Sequence, residues 1–264
     1  MQGLFEGTVV LVTGASGGFG NAAARRYAQE GARLVVSDYD EEHLGRVAET
    51  LSSETGCEIA SLAGDIAQED VSEYLVSLAL ERFGRLDVAL NNAGIAQTAF
   101  QKLPNIASDE AKRIFDIDLL GVFYALKYQL PVMEKQFRET GTGGVIVNVA
   151  SVAGVTGASR LSVYSAAKHG VVGLTRSTAQ EYARLGVRIN AVCPSFARTP
   201  MATDILGTEI AGKTLTEDQL VRGIPMGRLA EIDEVVETIL FASSPRNSFM
   251  TGQTLHVDGG LTGY

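Results

Sequence analysis

Short apolar runs alternate with amphipathic stretches along the whole chain. The apolar runs are rich in Val, Ile and Leu and show little of the two-residue alternation of a half-exposed strand, so we predict strands buried on both faces. Such runs stand at residues 8–13, 33–37, 57–62, 87–91, 145–150, 187–193 and 254–257. The pattern indicates a parallel sheet that is covered by helices.

The stretches between these runs predict the helices. Apolar residues recur there with helical spacing, and we expect helices over residues 18–30, 68–83, 108–138, 161–185 and 232–242. Gly31 stands where a helix commonly ends, and Pro131 predicts a kink in the long helix. Strands and helices in alternation predict an α/β fold, a doubly wound parallel sheet with helices on both faces.

One segment, residues 195–228, departs from this rhythm. It shows no clear strand and is rich in glycine and proline. Long irregular segments of compact domains are usually lids or binding loops, so we expect a substrate lid here. No linker, repeat or low-complexity tract interrupts the chain, and we therefore predict a single domain over residues 1–264.

Charge and composition narrow the range of partners. The net charge is -9, from 22 basic and 31 acidic side chains, which disfavours binding to nucleic acid or to an anionic membrane. Cys57 and Cys193 form no CxxC pair, and the histidines His43, His169 and His256 lack metal-site spacing, so we expect no metal.

No apolar stretch approaches the roughly 20 residues that span a bilayer. Residues 1–6 lack signal-peptide features, and we expect a cytoplasmic protein.

A glycine-rich turn separates the first predicted strand from the first predicted helix. Residues 13–20 have the sequence TGASGGFG, which permits a tight turn, close approach of a pyrophosphate and access to a helix N-terminus. Asp38 ends the second predicted strand, where it can bind ribose hydroxyls and repel a 2′-phosphate. Ala15, Ser16 and Tyr39 offer no basic side chain to such a phosphate, so we expect NAD rather than NADP. Alternatively, Asp38 only caps the next helix, a role for which Asp40 is equally placed.

A serine, a tyrosine and a lysine carry the candidate chemistry. Ser151 follows the predicted strand 145–150, and Tyr164 and Lys168 share one face of the next predicted helix. A lysine ammonium lowers the pKa of a nearby phenol from about 10 toward neutrality. Such a phenol can exchange a proton with an alcohol or a carbonyl, and the serine hydroxyl can position the same oxygen. The tyrosine and lysine alone would also suit an ordinary amphipathic helix; the glycine-rich turn and Asp38 favour catalysis.

These motifs resemble those of the short-chain dehydrogenase/reductase family. The chain matches TGxxxGxG at residues 13–20, NNAG at residues 91–94, and serine plus YxxxK at Ser151, Tyr164 and Lys168. Asp65-Ile66 resembles the pair that holds the adenine, and residues 194–201 resemble the segment that contacts the nicotinamide carboxamide. The resemblance implies NAD contacts from Gly14, Ser16, Gly17, Gly18, Phe19, Gly20, Asp38, Asp65, Ile66, Asn92, Ala93, Gly94, Tyr164, Lys168, Pro194, Ala197 and Thr199.

The family also implies a Rossmann-like fold of about seven strands and a homo-oligomer, a dimer or a tetramer. Two positions depart from its pattern. Asp118 stands where the family usually has an asparagine that organises a proton relay to the lysine, and we expect Asp118 to join that relay as a catalytic residue. If ionised, it would raise the pKa of Lys168. Ser195 replaces a common glycine, and we expect it to leave cofactor binding intact.

The implied substrate pocket is mostly apolar. We expect its lining to include Ile95, Val152, Ala153, Leu161, Phe196, Met201 and Ile205. A medium or bulky hydrophobic secondary alcohol or ketone, cyclic or aromatic, suits such a lining better than a sugar. The main alternatives are an NADPH-linked 3-oxoacyl thioester reductase and a non-catalytic dinucleotide-binding sensor. The first predicts basic residues near Ser16 and Tyr39, and the second a broken Ser-Tyr-Lys set.

Overall fold

The computed structural model describes residues 3–203, 206–207, 209–210 and 213–263. Its strands are β1 (Val9–Thr13), β2 (Arg33–Asp38), β3 (Ile59–Ala63), β4 (Val88–Asn91), β5 (Val145–Val149), β6 (Arg188–Pro194), β7 (Glu209–Ile210), β8 (Lys213–Thr214) and β9 (Thr254–Val257). Seven of them form a sheet in the order β3-β2-β1-β4-β5-β6-β9, with every neighbouring pair parallel. The predicted sheet is thereby confirmed.

The helices cover both faces of this sheet. They are α1 (Gly18–Gln29), α2 (Glu41–Thr55), α3 (Glu69–Phe83), α4 (Ser108–Phe115), α5 (Gly121–Thr140), α6 (Ser162–Tyr182), α7 (Pro200–Thr203), α8 (Glu217–Val221) and α9 (Ile232–Ser243). Among the residues that the structure describes, none of the helices is both long and apolar enough to cross a membrane.

Two apolar clusters form the core, one on each face of the sheet. Successive residues of a strand point to opposite faces, so Val10 and Val12 of β1 enter one cluster while Val9 and Leu11 enter the other. The first cluster packs beneath α1, α2 and α9, and the second beneath α3, α5 and α6. Burial on both faces explains why the strands are apolar at nearly every position.

The start of helix α2 shows which of two aspartates, Asp38 or Asp40, caps the helix. Asp40 caps it, because the side chain accepts a hydrogen bond of 2.9 Å from the backbone N–H of His43. Gly56 ends it in the left-handed conformation, with φ of 70°. The reading of Asp38 as the cap of this helix is therefore wrong.

The long helix expected over residues 108–138 is divided. A π-helical turn, Asp116–Leu120, separates α4 from α5, and the N–H of Gly121 bonds to the carbonyl of Asp116 five residues back. Pro131 lies within the continuous α5, so the helix divides at the π-helical turn and not at the proline. Inserted turns of this kind occur often at functional sites because they reorient a side chain. Here the turn carries Asp118.

Segment 195–228, whose sequence shows no clear strand, contains two short strands. Strands β7 and β8 form a small antiparallel pair, and α7 and α8 lie before and after it. Each strand has two residues, too few to produce a recognisable pattern in the sequence. An apolar cluster organises the second half of this segment, and its buried members are Leu215, Leu220, Val221, Ile224 and Leu229.

Candidate active site

The glycine-rich turn lies between β1 and α1, at the carboxyl edge of the sheet. Gly14 has φ of 67° and Gly18 has φ of 51°, a region that favours glycine. A Cβ on Gly14 would lie 2.8 Å from Nδ2 of Asn92, and one on Gly20 would lie 2.0 Å from the carbonyl oxygen of Gly14. Side chains are thus excluded at both places, so α1 can approach the sheet closely.

The amino end of α1 has the features of an anion site. Gly17 precedes the helix with an extended backbone and provides no side-chain cap, and the first turn carries no acidic residue. A Cβ on Gly17 would meet nothing within 4 Å, and the buried Oγ of Ser16 has no hydrogen-bond partner among the described residues. Backbone N–H groups and the helix dipole are therefore free to bind a phosphate.

Asn92 holds the turn in place from the end of β4, the strand that pairs with β1. Its Nδ2 donates hydrogen bonds to the carbonyls of Thr13 (3.0 Å) and Gly14 (3.2 Å). In return the hydroxyl of Thr13 accepts from the backbone N–H groups of Asn92 (3.1 Å) and Ala93 (3.2 Å). Asn91 lies in the core, where its Nδ2 donates to Oδ1 of Asn148 at 2.9 Å. Both asparagine side chains of the NNAG motif thus stabilise the protein itself.

Asp38 stands at the carboxyl end of β2, beside the glycine-rich turn. Its Oδ2 accepts a hydrogen bond of 2.9 Å from the N–H of Ser16, and its Oδ1 accepts one of 2.8 Å from the N–H of Tyr39. These bonds fix the carboxylate at the edge of the turn. The Tyr39 side chain beside it is 82% exposed.

Asp65 and Ile66 follow β3 and contact the helices on their side of the sheet. Oδ1 of Asp65 accepts from the N–H of Ala67 at 3.0 Å, and Oδ2 forms an ion pair of 2.8 Å with Arg113 of α4. Ile66 packs against Gly121 at the start of α5, where a Cβ would lie 2.8 Å from the Ile66 side chain. The pair is therefore connected to the segment that carries Asp118.

The three predicted catalytic residues lie where β5 meets α6. Ser151 lies two residues after the end of β5, and its Oγ accepts a hydrogen bond of 3.1 Å from the N–H of Ala153. Tyr164 and Lys168 lie on successive turns of α6, with the lysine Nζ 5.6 Å from the centre of the tyrosine ring. Nζ also donates a hydrogen bond of 3.2 Å to the carbonyl of Val149.

Asp118 faces Lys168 from the π-helical turn. Its Oδ2 lies 3.4 Å from Nζ, and its Oδ1 accepts a hydrogen bond of 2.8 Å from the N–H of Ile95. The side chain of Asp118 is 0% exposed, so this ion pair is buried. Gly94 closes the same space, since a Cβ there would lie 3.2 Å from Nζ.

The electrostatics of this cluster differ from the expectation for a simple tyrosine–lysine pair. Burial is the largest influence on Tyr164 and raises the pKa of the phenol. Lys168 and Ser151 lower that pKa, whereas Asp118 raises it, and the net direction is upward. The expected fall toward neutrality is therefore wrong, because burial disfavours the phenolate and Asp118 offsets the charge of Lys168.

The buried ion pair has pKa changes of its own. Burial lowers the pKa of Lys168, but Asp118 and Tyr164 raise it, and the net direction is upward, as expected for an ionised Asp118. Burial raises the pKa of Asp118, against the opposing effects of Lys168 and the N–H of Ile95. The carboxylate and the ammonium stabilise each other's charge in a buried site.

The segment after β6 folds back over the glycine-rich turn. Pro194 is the last residue of β6, and Ala197 pairs with Ala230 in an isolated bridge. The Cγ2 of Thr199 lies 3.5 Å from where a Cβ on Gly18 would stand. The structure thus brings the predicted nicotinamide segment to the predicted pyrophosphate turn.

The predicted substrate residues are only partly gathered. Val152, Ala153 and Leu161 lie between Ser151 and α6, and Ala153 is buried. Phe196 packs near Phe100, with ring centres 6.4 Å apart. The remaining three differ in setting: Ile95 packs into an apolar cluster between α4 and α6, Met201 is 44% exposed, and Ile205 lies outside the described residues.

Two polar residues that hold the loop after β4 were missed in the sequence. The carboxylate of Glu110, on α4, accepts hydrogen bonds from the backbone N–H (2.7 Å) and hydroxyl (2.8 Å) of Thr98. Gln97 is buried and bonds to the start of α6. No motif marks either residue, because each acts on a segment distant in sequence.

Comparisons with known proteins agree with this architecture. A family model described as enoyl-(acyl carrier protein) reductase matches residues 14–262. Cyclohexanol dehydrogenase from Acinetobacter sp. (strain SE19) is 36% identical over 262 residues, 99% of this chain and 98% of that protein. The crystal structure of levodione reductase aligns with a TM-score of 0.91 and 34% identity, covering 98% of this chain and 100% of that one. The structure of 3-ketoacyl-(acyl-carrier-protein) reductase from Brucella melitensis, complexed with NADH, aligns with a TM-score of 0.87 and 33% identity, covering 98% and 99%.

Sequence motifs, sheet order and near full-length similarity therefore lead to the same conclusion. The resemblance seen in the motifs is confirmed by the family match and by the structural neighbours. The chain belongs to the short-chain dehydrogenase/reductase family of oxidoreductases.

Proposed function

We propose that this protein interconverts a secondary alcohol and a ketone with NAD(H), and that Tyr164 is its acid–base residue. The observation that carries the proposal is the convergence of Ser151, Tyr164 and Lys168 at the carboxyl edge of the sheet. The two proteins named above as cyclohexanol dehydrogenase and levodione reductase act on oxygen-bearing carbons of this kind. An intact Ser-Tyr-Lys set also argues against a non-catalytic sensor.

Each catalytic side chain has a defined task in this proposal. A bound nicotinamide ring supplies or accepts the hydride. Tyr164 takes the hydroxyl proton in oxidation and returns it to the carbonyl oxygen in reduction. Ser151 hydrogen-bonds the same substrate oxygen, and Lys168 stabilises the phenolate by its charge. Asp118 holds the Lys168 ammonium and joins it to the proton relay.

The residues around the glycine-rich turn fit a dinucleotide. The amino end of α1 is open at Gly17, where a phosphate can bind the backbone. The contacts proposed from the family motif are those of Gly14, Ser16, Gly17, Gly18, Phe19, Gly20, Asp65, Ile66, Asn92, Ala93, Gly94, Pro194, Ala197 and Thr199. These residues lie at or after the carboxyl ends of β1, β3, β4 and β6, which supports this proposal.

NAD is the proposed cofactor because of Asp38. Its carboxylate is fixed beside the turn by the N–H groups of Ser16 and Tyr39, where a 2′-phosphate would meet a like charge. The similar reductase from Brucella melitensis is described in complex with NADH. That reductase also keeps the 3-oxoacyl thioester alternative open as to substrate, although Ala15, Ser16 and Tyr39 give no support to NADPH.

The proposed substrate is hydrophobic and cyclic or aromatic. Phe100 and Phe196 adjoin the apolar cluster of segment 195–228, which we propose as the substrate lid of a single catalytic domain.

We further propose that the protein is a cytoplasmic homotetramer. Its two cysteines are buried and unbridged, as in a reducing compartment. Leu120 and Phe123 provide exposed apolar surface for assembly.

An absorbance assay for NADH tests these proposals together. The purified protein is offered NAD or NADP with cyclic and aromatic secondary alcohols, polyols and 3-hydroxyacyl thioesters. We expect turnover with NAD and the cyclic or aromatic alcohols. Preference for NADP would contradict the role of Asp38, and preference for thioesters would favour the alternative substrate.

The matched variant is Tyr164→Phe, which removes only the phenolic hydroxyl. We expect turnover to fall by about 10²- to 10⁴-fold, the usual contribution of a positioned acid–base group. NADH affinity, measured by fluorescence, should stay near that of the unaltered protein, because the phenol acts on the substrate. Retained turnover in this variant would disprove the mechanism.

A further inference from the structure

Gln97 lies in the loop after β4, and its side-chain amide connects two segments around Tyr164. The residue is 3% exposed. Its Oε1 accepts hydrogen bonds from the backbone N–H groups of Val163 (3.2 Å) and Tyr164 (3.4 Å). Its Nε2 donates a hydrogen bond of 3.2 Å to the carbonyl of Arg160. One buried amide thus uses both its donor and its acceptor on a junction more than sixty residues away in sequence.

The acceptor side of this amide caps α6 from a distance. Leu161, the residue before the helix, forms no side-chain cap. The first N–H groups of a helix have no partner within the helix and need one from elsewhere. Gln97 provides it for two of them, and one belongs to Tyr164 itself. The position of the catalytic tyrosine's backbone therefore depends on Gln97.

The donor side fixes an unfavourable backbone conformation. Arg160 has φ of 68°, and it is the one non-glycine residue with positive φ in the described part of the chain. L-residues adopt this conformation at a cost and keep it where the surroundings impose it. The carbonyl oxygen of Arg160 accepts hydrogen bonds from Nε2 of Gln97 and from the N–H of Gln101, each of 3.2 Å. These bonds tie the loop over residues 95–101 to the loop that precedes α6.

We propose that Gln97 is a positioning residue, which sets the Tyr164 phenol against the substrate by clamping the start of α6 to the loop after β4. The proposal rests on the acid–base role of Tyr164. The two clamped loops are walls of the proposed substrate pocket, so Gln97 also fixes the distance between them. Nζ of Lys168 bonds to the carbonyl of Val149 and pairs with Asp118, and Gln97 forms no hydrogen bond to either residue in the described part of the chain.

Two variants separate the two halves of the clamp. Gln97→Met keeps the length of the side chain but removes donor and acceptor. Gln97→Glu keeps an acceptor for the N–H groups of α6, where the helix dipole favours it, and loses the donor to Arg160. The control is Gln136→Met, the same substitution at an α5 amide that accepts a hydrogen bond from the backbone N–H of Leu86 and lies outside both clamped loops.

The measurements are kcat and KM for the alcohol, NADH affinity and hydrogen exchange of the backbone amides. We expect Gln97→Met to lower kcat by about ten- to a hundredfold, because small misplacements of a catalytic group have effects of this size. Exchange at Val163 and Tyr164 should accelerate, while NADH affinity stays unchanged. Gln97→Glu should recover most of kcat but keep a raised KM, and Gln136→Met should keep the kcat and KM of the unaltered protein.

Failure of this proposal differs from failure of the proposed function. An unaltered protein that turns over no alcohol or ketone refutes the function, and the role of Gln97 with it. An active protein whose Gln97→Met variant keeps its kcat refutes the role of Gln97 alone. Equal losses of kcat and NADH affinity, with exchange accelerated throughout the chain, would show a merely structural residue and also refute it.

Discussion

At the scale of single residues, the buried pair of Asp118 and Lys168 distinguishes this site. An asparagine at position 118 would leave the ammonium as an uncompensated charge beside the phenol. The carboxylate instead raises the pKa of both Lys168 and Tyr164. Tyr164 of α6 and Cys193 of β6 are the titratable groups around the pair.

Asp118→Asn should move the pH profile of alcohol oxidation to lower pH. Oxidation requires the phenolate, so the rate rises as pH passes the pKa of Tyr164. Removal of the negative charge lowers this pKa, and the rise then begins at lower pH. The measurement is kcat/KM for the alcohol against pH, at saturating NAD.

The control for this prediction lies on the same turn. Asp116→Asn makes the identical change at a carboxylate that pairs with Lys112 toward the surface, and it should leave the profile in place. An Asp118→Asn profile that coincides with that of the unaltered protein would mean that Asp118 carries no charge in the active enzyme.

At the scale of elements, close packing between the glycine-rich turn and α1 limits what the chain tolerates. Gly20 and Gly45 both lie within helices, but their surroundings differ. A Cβ on Gly20 would lie 2.0 Å from a backbone oxygen, whereas one on Gly45 would meet nothing within 4 Å. The same substitution should therefore have opposite effects.

Gly20→Ala should lower the free energy of unfolding by about 1–3 kcal/mol, the usual cost of overpacking. Gly45→Ala should raise it by up to about 1 kcal/mol, because alanine favours the helix. Denaturant unfolding of the two variants measures both. A stabilised Gly20→Ala protein would contradict the close packing between α1 and the turn.

At the scale of the whole molecule, exposed apolar side chains on α5 support assembly. Phe123 is 43% exposed and Leu120, on the turn before it, is 38% exposed. The family resemblance implies an interface along the helices expected over residues 108–138 and 161–185, and Leu120 and Phe123 lie in the first of these stretches. Apolar residues grouped at a surface commonly mark a contact with another chain.

Phe123→Glu should convert the proposed tetramer into a smaller species, because a charge would have to be buried in the interface. Light scattering coupled to gel filtration measures the mass, which we expect to be a multiple of the 28.0 kDa chain for the unaltered protein. The control is Leu80→Glu on α3, whose parent residue is 38% exposed on a different helix. Equal masses for both variants and the unaltered protein would refute the proposed face.

The sequence by itself determined which residues end strands, which share a helix face, and which turn is rich in glycine. Local patterns suffice for this, because the period of apolar residues and the places of glycine are properties of neighbouring positions. The sheet, the turn at residues 13–20 and the family followed from them.

Only the tertiary structure decided the electrostatics and the supports of the site. Asp118 reaches Lys168 through a π-helical turn that leaves no mark in the sequence, and Gln97 caps a helix in a distant segment. The rise in the pKa of Tyr164 comes from burial and from Asp118, neither of which is visible in a Tyr-x-x-x-Lys spacing. Contacts between distant segments and the removal of charges from water depend on the packed whole, and no local pattern records them.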